Sequence, residues 1–143
     1  MINVESKIFI NKGFQEVFRF ISDFENNPIW QKGMKKAQFT TTDPIGIGST
    51  YNQEASFLGK KIVSSFIVTD FKEDHLIKIK STASSFPIQV TRSVEPVGTG
   101  TNVYALVEGD ARHFFKLAQP ILKKVVERSV YGDYRRLKEI LEK

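Results

Sequence analysis

Residues 119–142, QPILKKVVERSVYGDYRRLKEILE, decide the fold because one face of this segment is apolar over its whole length. The apolar residues recur every three or four positions, which is the spacing of an amphipathic helix. At 1.5 Å per residue this helix is roughly 36 Å long. Pro120 is expected in its first turn or at a kink, and Gly132 costs about 1 kcal/mol relative to alanine. The apolar face consists of Leu122, Val126, Val130, Tyr134, Leu137 and Leu141, with Ile121 and Val125 beside it.

Seven segments that precede this helix have the patterns of β-strands. Residues 2–10 alternate apolar and polar side chains, and strand patterns then fill most of residues 35–111. Short turns, among them one at 43–46 and a tight hairpin at Gly59-Lys60, join consecutive segments, which favours an antiparallel meander. The predicted strands are 2–10, 35–42, 49–58, 61–72, 75–82, 86–96 and 101–111.

Two short helices are predicted between the first and second strands. Residues 14–21 carry apolar side chains at helical spacing, and Trp30 follows Pro28 in a second helical turn. A sheet that is apolar on one face must be covered, and only the helix over 119–142 is long enough to cover it. The sequence therefore predicts an α+β fold: a curved antiparallel sheet of six to seven strands wraps around this helix and leaves a cavity.

Composition excludes several classes of site. A chain of 143 residues has the usual size of one domain, so we expect a single domain over residues 1–143. There is no cysteine, and two histidines, His75 and His113, argue against a histidine-rich metal site, so no metal and no cofactor are expected. Because no signal peptide and no apolar run of about 20 residues is visible, we expect a soluble, cytoplasmic protein without a transmembrane segment.

The net charge of +5 is concentrated near the C-terminus. Residues 114–143 contain eight Lys or Arg residues and four acidic ones. Because the acids are interspersed, we interpret this segment as the solvated face of an amphipathic helix, and we expect no nucleic acid partner. Peripheral contact with an anionic membrane is the weaker alternative.

Six short motifs follow one another along the chain. They are IFI (8–10) with FQEVF (14–18), DF (23–24) with NPIW (27–30), GIGSTY (46–51), FLGK (57–60), EPVGTGT (95–101), and LK (137–138) with LE (141–142). Their order and spacing resemble the START-like polyketide cyclase/dehydratase (SRPBCC) superfamily over essentially the whole chain. The resemblance implies the helix-grip fold and a central cavity. Members bind or transfer hydrophobic molecules, cyclise or dehydrate polyketides, or act as chaperone partners, so the fold does not determine the function.

Several side chains are candidates for contact with a ligand. The resemblance implies that Trp30 lies near the mouth of the cavity, although an indole there equally fills the core. Alternation predicts that Tyr51, Gln53 and Phe57 point inward. Tyr51 and Gln53 then either orient a ligand or satisfy each other.

Two strands carry polar residues for which the sequence leaves more than one orientation open. Alternation over 88–94 places Arg92 on an apolar face. A buried, unpaired guanidinium is very unfavourable, so Arg92 is expected to meet a carboxylate or a ligand anion, or to lie at the rim of the sheet. In the strand at 101–111, Tyr104 and Glu108 share one face and apolar residues the other, and either face is a plausible inward one.

Three functional hypotheses remain, and the sequence does not determine whether the protein is an enzyme or what its oligomeric state is. The first is the binding, or the binding and transport, of a small hydrophobic or amphipathic molecule in the cavity. The second is a polyketide cyclase or dehydratase that uses Arg92, Tyr51 and one carboxylate. The third is a protein or membrane interaction module with a filled core. The predicted ligand-binding residues are Trp30, Tyr51, Gln53, Phe57, Phe66, Ile79, Arg92, Tyr104, Phe115, Ile121, Leu122 and Val125.

Overall fold

Seven strands form the sheet of the structure, a computed structural model that describes residues 1–42 and 44–143. The strands are β1 (Ile2–Ile10), β2 (Met34–Phe39), β3 (Thr50–Phe57), β4 (Lys60–Lys72), β5 (Leu76–Ala83), β6 (Ile88–Val97) and β7 (Gly100–Gly109). Their order in the sheet is β1-β7-β6-β5-β4-β3-β2, and every neighbouring pair is antiparallel. Strands β2 to β7 thus form the predicted meander, and β1 pairs with β7. Asp43, in the turn predicted at 43–46, lies outside the described residues.

The helices of the described residues comprise three short ones and one long one. They are α1 (Phe14–Ser22), α2 (Asn27–Trp30), α3 (Arg112–Phe115) and α4 (Gln119–Leu141), and a 3₁₀ turn, Phe24–Asn26, joins α1 to α2. Pro120 lies in the first turn of α4, as predicted. Helix α4 crosses the concave face of the sheet, so the predicted α+β helix-grip fold is confirmed. Within residues 1–42 and 44–143, no helix has the length and apolar content needed to cross a membrane.

Irregularities in the strand register help to bend the sheet around α4. The pairing of β2 with β3 shifts between Met34 and Lys36. The pairing of β4 with β5 shifts twice, between Ser65 and Phe66 and again after Val68. A bulge of this kind bends its strand and increases the local twist. The sheet therefore curls, and one straight helix contacts only part of its concave face.

The hairpin between β3 and β4 is one residue earlier than predicted. Phe57 pairs with Lys60, so Leu58 and Gly59 are the central residues of the turn, not Gly59 and Lys60. Both central residues have positive φ angles, 52° and 76°. A two-residue turn with two positive φ angles matches the right-handed twist of its flanking strands, which explains why a leucine adopts this conformation here.

Three strands differ from the prediction by more than one residue at one end. Strand β2 ends at Phe39 instead of residue 42, and β6 begins at Ile88, after Pro87, instead of at residue 86. Strand β7 ends at Gly109 instead of residue 111, because Gly109 is opposite the first residue of both partner strands. Beyond Gly109 the chain has no strand on either side to pair with, and α3, which was not predicted, follows.

The apolar residues form two clusters separated by a region that is incompletely packed. The larger cluster joins α1, α2 and the C-terminal half of α4 to the sheet, and Ile21, Trp30 and Leu137 within it have no exposed surface. The smaller cluster surrounds Leu122 at the start of α4. Between them, the predicted apolar face of α4 continues through Val126 and Val130, but both side chains keep partial exposure. The sheet and helix thus leave space at this level.

Candidate functional site

A cavity with two adjoining lobes lies between α4 and the concave face of the sheet. The smaller lobe, of about 160 Å³, is bordered by residues of α2, β3 and β6 and by Tyr134 of α4. The larger lobe, of about 210 Å³, lies toward the N-terminal end of α4. Four residues line both lobes, so the two lie side by side under α4: Gln53, Ile88, Val107 and Val130. Together the lobes exceed the roughly 300 Å³ at which ligand pockets begin.

The larger lobe is lined mainly by apolar side chains and bordered by an aromatic cluster. The ring of Phe115 in α3 lies 5.5 Å from that of Phe57 and 5.8 Å from that of Phe86. Phe114 packs edge-on against Phe115 at 4.9 Å. Lys60 holds this cluster to the β3–β4 hairpin, because its Nζ donates to the carbonyl of Phe114 at 2.8 Å. Helix α3, a strand and the loop before β6 therefore meet at this end of the cavity.

Arg92 brings a positive charge to the smaller lobe. Its side chain is 2% exposed, and its Nη1 donates to the carbonyl of Ile21 at 2.8 Å and to Oδ1 of Asn27 at 3.0 Å. The guanidinium also lies over the rings of Phe24, at 4.5 Å, and Trp30, at 4.8 Å. The expectation that Arg92 meets a carboxylate or lies at the rim is therefore wrong: neutral oxygens and aromatic faces surround it. Its Nε has no hydrogen-bond partner among the described residues.

Tyr51 supplies a hydroxyl to the same lobe from the middle of an aromatic stack. Its ring lies between those of Phe24, at 4.9 Å, and Phe66, at 5.1 Å, and is nearly parallel to both. Its hydroxyl donates to Oε1 of Gln53 at 3.4 Å, so the two predicted inward residues do contact each other. Burial raises the pKa of Tyr51 well above its ordinary value, against a smaller opposing effect of Arg92. Tyr51 therefore stays protonated and acts as a hydrogen-bond donor.

Asp133 is the carboxylate of the smaller lobe, and the sequence did not single it out. It accepts from the backbone N–H of Lys32 at 3.1 Å and from Nη1 of Arg136 at 3.4 Å. Burial raises its pKa above the ordinary value, and its hydrogen bonds to Lys32 and Arg136 oppose this effect. In the sequence, Asp133 and Arg136 form an i,i+3 pair of opposite charge, which is typical of a solvent-facing helix surface. The pattern therefore indicated a solvent-facing position for Asp133 and gave no sign that it lies at the cavity.

Eight of the twelve predicted ligand-binding residues lie at the cavity. Tyr51, Phe66, Ile79 and Arg92 line the smaller lobe, Phe57, Phe115 and Leu122 line the larger one, and Gln53 lines both. Alternation located the strand residues correctly because the pleat of a strand fixes which side chains share a face. The apolar stripe located Leu122 in the same way.

The other four predicted residues lie elsewhere. Trp30 is completely buried in the core, edge-on to Tyr134 at 4.9 Å. Tyr104 lies on the outer face of the sheet below Lys7, because Val103 and Ala105 occupy the inward face of β7. Ile121 is 56% exposed, and Val125 lines a groove between α4 and the start of β2. Both lie beside the apolar stripe and are rotated away from the cavity.

Several lining residues were not among the predicted ones. Val107, Val126 and Val130 had weak signals in the sequence, since each belongs to an apolar face that was already recognised. Asn27 and Gln31 had none, because they reach the smaller lobe only through the position of α2. The lining residues of the two lobes that were not predicted are Ile2, Phe24, Asn27, Gln31, Met34, Ala55, Ile62, Phe86, Ile88, Val90, Val107, Glu108, Gly109, Ala111, Val126, Ser129, Val130, Asp133 and Tyr134.

Comparison with protein-family models gives one match, which extends over almost the whole chain. The model described as "Polyketide cyclase / dehydrase and lipid transport" matches residues 1–142. Among curated proteins, no sequence matches at a significant level.

Solved structures share the fold at low sequence identity. A START superfamily protein from Mycobacterium smegmatis superimposes with a TM-score of 0.82 at 18% identity, over 98% of this chain and 97% of the other. A protein from Thermus thermophilus gives 0.80 at 17%, over 96% and 94%. The ZhuI aromatase/cyclase from a Streptomyces species gives 0.75 at 12%, over 98% and 93%. Similarity at these identities establishes the fold alone.

Proposed function

We propose, on the premise that this chain belongs to the polyketide cyclase / dehydrase and lipid transport family, that it binds one small amphipathic molecule in the cavity under α4. The observation that carries this proposal is the pair of adjoining lobes, of about 160 and 210 Å³, that the core leaves unfilled. A packed core normally has few voids larger than a water molecule, so unfilled space of this size has a cost in stability that a ligand would offset.

The lining supports a molecule with an apolar body and a polar end. Phe57, Phe86, Phe115 and Val126 line the larger lobe, where an alkyl or aromatic group loses contact with water. The smaller lobe brings together Arg92, Asn27 and the hydroxyl of Tyr51. A few polar groups at one end of an apolar pocket are the usual means of orienting a ligand. A carbonyl or hydroxyl oxygen in the smaller lobe would accept from the guanidinium of Arg92, which lines this lobe.

The proposal is tested by native mass spectrometry of the protein purified from its own host, followed by extraction into organic solvent. The expected result is one small molecule per chain that is retained in the native spectrum and released on denaturation. Its mass and fragmentation give its chemical class. A protein that is empty and also fails to take up N-phenyl-1-naphthylamine, a neutral apolar fluorescent probe, would contradict the proposal and favour an interaction module.

A second candidate function is acid–base catalysis of the cyclase or dehydratase type. The observation that favours it is that Asp133, Arg92 and Tyr51 line one lobe. A carboxylate whose pKa is raised by burial is a stronger base than one in water. Asp133 would remove a proton from a carbon beside a carbonyl, and Arg92 would stabilise the negative oxygen that forms. In a cyclisation that carbon attacks a second carbonyl of the same chain, and the new alkoxide takes up the proton.

Turnover separates the two functions. If the protein is an enzyme, incubation with a synthetic tetraketide thioester gives a cyclised product by liquid chromatography and mass spectrometry. Asp133→Asn should then lower the rate by about 100-fold or more while the thioester still binds. Glu139→Gln on the exposed side of α4 is the matched control and should keep the full rate. An unchanged thioester after prolonged incubation with wild-type protein would leave binding as the function.

A further inference from the structure

A groove of about 540 Å³ on the flank of α4 that faces β2 carries an excess of positive charge. It lies between α4, the start of β2 and the β3–β4 hairpin. We call it the basic groove, and its charged residues are Lys32, Lys35, Arg128, Asp133 and Arg136. Four cations thus face one carboxylate.

The carboxylate of Asp133 already accepts hydrogen bonds from within the protein. Asp133 accepts from the backbone of Lys32 and from Arg136, and Arg136 also donates to the carbonyl of Trp30 at 2.8 Å. In the part of the chain that the structure describes, no acidic side chain lies within 4.0 Å of the charged nitrogens of Lys32, Lys35 or Arg128. All three side chains are exposed. The groove therefore has three cations available to an anion from solution.

The floor of the groove is open because two glycines form part of it. A Cβ on Gly132 of α4 would meet no atom within 4 Å, so no side chain of the described residues fills the space above it. Gly33 allows the start of β2 to lie against β3, since a Cβ there would be 2.6 Å from the carbonyl oxygen of Ser56. The two backbones thus form a floor without side chains, beside the apolar side chains of Phe57, Leu58 and Val125.

The groove adjoins both lobes of the cavity. Phe57 and Ser129 line the groove on one side and the larger lobe on the other. Asp133 lies in the same way between the groove and the smaller lobe. A molecule that extends from the larger lobe past Phe57 and Ser129 therefore arrives among the unpaired cations.

We propose that the molecule bound in the cavity is an anionic amphiphile whose carboxylate or phosphate lies in the basic groove against Lys35 and Arg128. Its apolar chain passes between Phe57 and Ser129 into the larger lobe. The arrangement rests on the proposed function. It keeps the apolar body in the larger lobe and any neutral oxygen in the smaller lobe, and it adds an anionic head group in the groove and the route by which the ligand enters. Charge-assisted hydrogen bonds to guanidinium and ammonium groups are the stronger ones available to such a head group.

The test compares ligands that differ only in the head group. Dodecanoate, dodecyl phosphate and dodecanol each displace N-phenyl-1-naphthylamine from the wild-type protein, and the displacement gives a Kd for each. We expect both anions to bind about tenfold more tightly than dodecanol at low salt, and this advantage to decrease as NaCl is added. Inorganic phosphate at the same ionic strength should displace little probe, since it lacks the apolar chain.

Two double variants locate the head group. Lys35→Gln with Arg128→Gln should reduce the affinity for dodecanoate to about that for dodecanol. Lys123→Gln with Lys124→Gln, which removes two exposed charges from the same helix outside the groove, should keep the advantage of the anion. Circular dichroism of both variants checks the fold.

Each contrary result has a separate meaning. An advantage of dodecanoate that survives Lys35→Gln with Arg128→Gln overturns the basic groove as the head-group site. Equal affinity for dodecanoate and dodecanol in the wild type overturns the claim that the ligand is anionic and leaves the cavity as a binding site. Inorganic phosphate that binds as tightly as dodecyl phosphate overturns the claim that the ligand needs an apolar chain. Failure of all three dodecyl compounds and of the probe to bind overturns the proposed function itself.

Discussion

At the scale of single residues, Arg92 shows how a charged side chain is accommodated inside this fold. A buried cation is costly unless it is well hydrogen-bonded. Here Nη1 donates to two neutral oxygens, of Ile21 and Asn27, and the flat guanidinium lies over two aromatic rings. This geometry requires a planar cation with several donors, which is a property of arginine and not of lysine. The residue therefore ties β6 to α1 and α2 and provides a donor to the cavity.

Arg92→Lys should lower the free energy of unfolding by about 1–3 kcal/mol, because an ammonium group cannot reproduce both the hydrogen bonds and the stacking. Urea denaturation followed by fluorescence measures the difference. Arg135→Lys, the same change on the exposed side of α4, should alter stability by less than about 0.5 kcal/mol. Equal stability of Arg92→Lys and the wild type would mean that the charge alone matters at position 92.

The raised pKa of Asp133 predicts how the free energy of unfolding varies with pH. Burial raises its pKa in the folded protein, so the folded state binds this proton more tightly than the unfolded chain does. The contribution of Asp133 to the free energy of unfolding therefore decreases as pH rises from about 4 through the raised pKa. Asp133→Asn removes this contribution and should be more favourable, relative to the wild type, at pH 7 than at pH 4.

Urea denaturation of both proteins at the two pH values measures this change. The quantity compared between the two pH values is the difference in free energy of unfolding between wild type and variant. Other carboxyl groups titrate alike in both proteins, so their effects cancel in this difference. Glu139→Gln serves as the control and should show a difference that is nearly the same at both pH values. The opposite slope for Asp133→Asn would show that the bonds from Lys32 and Arg136 outweigh burial.

At the scale of elements, α4 has a different role on each of its faces. The apolar stripe packs on the sheet at both ends, where Leu122 and Leu137 are completely buried. In its middle the same stripe borders the cavity through Val126 and Val130. Its flank facing β2 forms one wall of the basic groove, where Gly132 leaves the space open. One helix thus joins the core, the cavity and the groove.

Two glycine-to-alanine changes distinguish open space from close approach. Gly132→Ala should raise the free energy of unfolding by up to about 1 kcal/mol, because alanine favours the helix and its Cβ meets nothing. Gly33→Ala should lower it by about 1–3 kcal/mol, because its Cβ would lie 2.6 Å from the carbonyl oxygen of Ser56. Thermal and urea denaturation measure both. Destabilisation by Gly132→Ala would show that the helix needs glycine there for a bend.

At the scale of the whole molecule, the cavity results from a mismatch between a curled sheet and a straight helix. The bulges in β2 and β4 curl the sheet, and α4 approaches it closely at the two ends. The space left at the middle is lined by half-buried apolar side chains. No single residue creates it, and a larger side chain at one position can therefore fill it without removing the elements around it.

Ala55→Phe should fill much of the larger lobe, since Ala55 lines it from β3. We expect the affinity for N-phenyl-1-naphthylamine to decrease by about tenfold or more, which corresponds to about 1.4 kcal/mol of binding free energy. Ala83→Phe makes the same change at an exposed position on β5 and should bind the probe like the wild type. Fluorescence titration measures both. Full binding by Ala55→Phe would place the probe outside the larger lobe.

The strands, the long helix and the inward faces follow from the sequence because they depend on periodicities of two and 3.6 residues, which are local properties of the chain. Alternation therefore located Tyr51, Gln53 and Phe57 at the cavity, and the apolar stripe located Leu122. The family also followed from the sequence, through short motifs in a fixed order.

Only the tertiary structure determined the partners of those side chains and the shape of the space between them. Arg92 meets the carbonyl of Ile21 and the side chain of Asn27, 71 and 65 positions away in the sequence. The rotation of α4 about its own axis places Ile121 and Val125 outside and Asp133 at the cavity. The apolar stripe indicates this rotation only approximately and does not decide the positions of residues beside it. Helix packing and sheet curvature are properties of the assembled chain, and they decide which apolar face is filled and which borders a cavity.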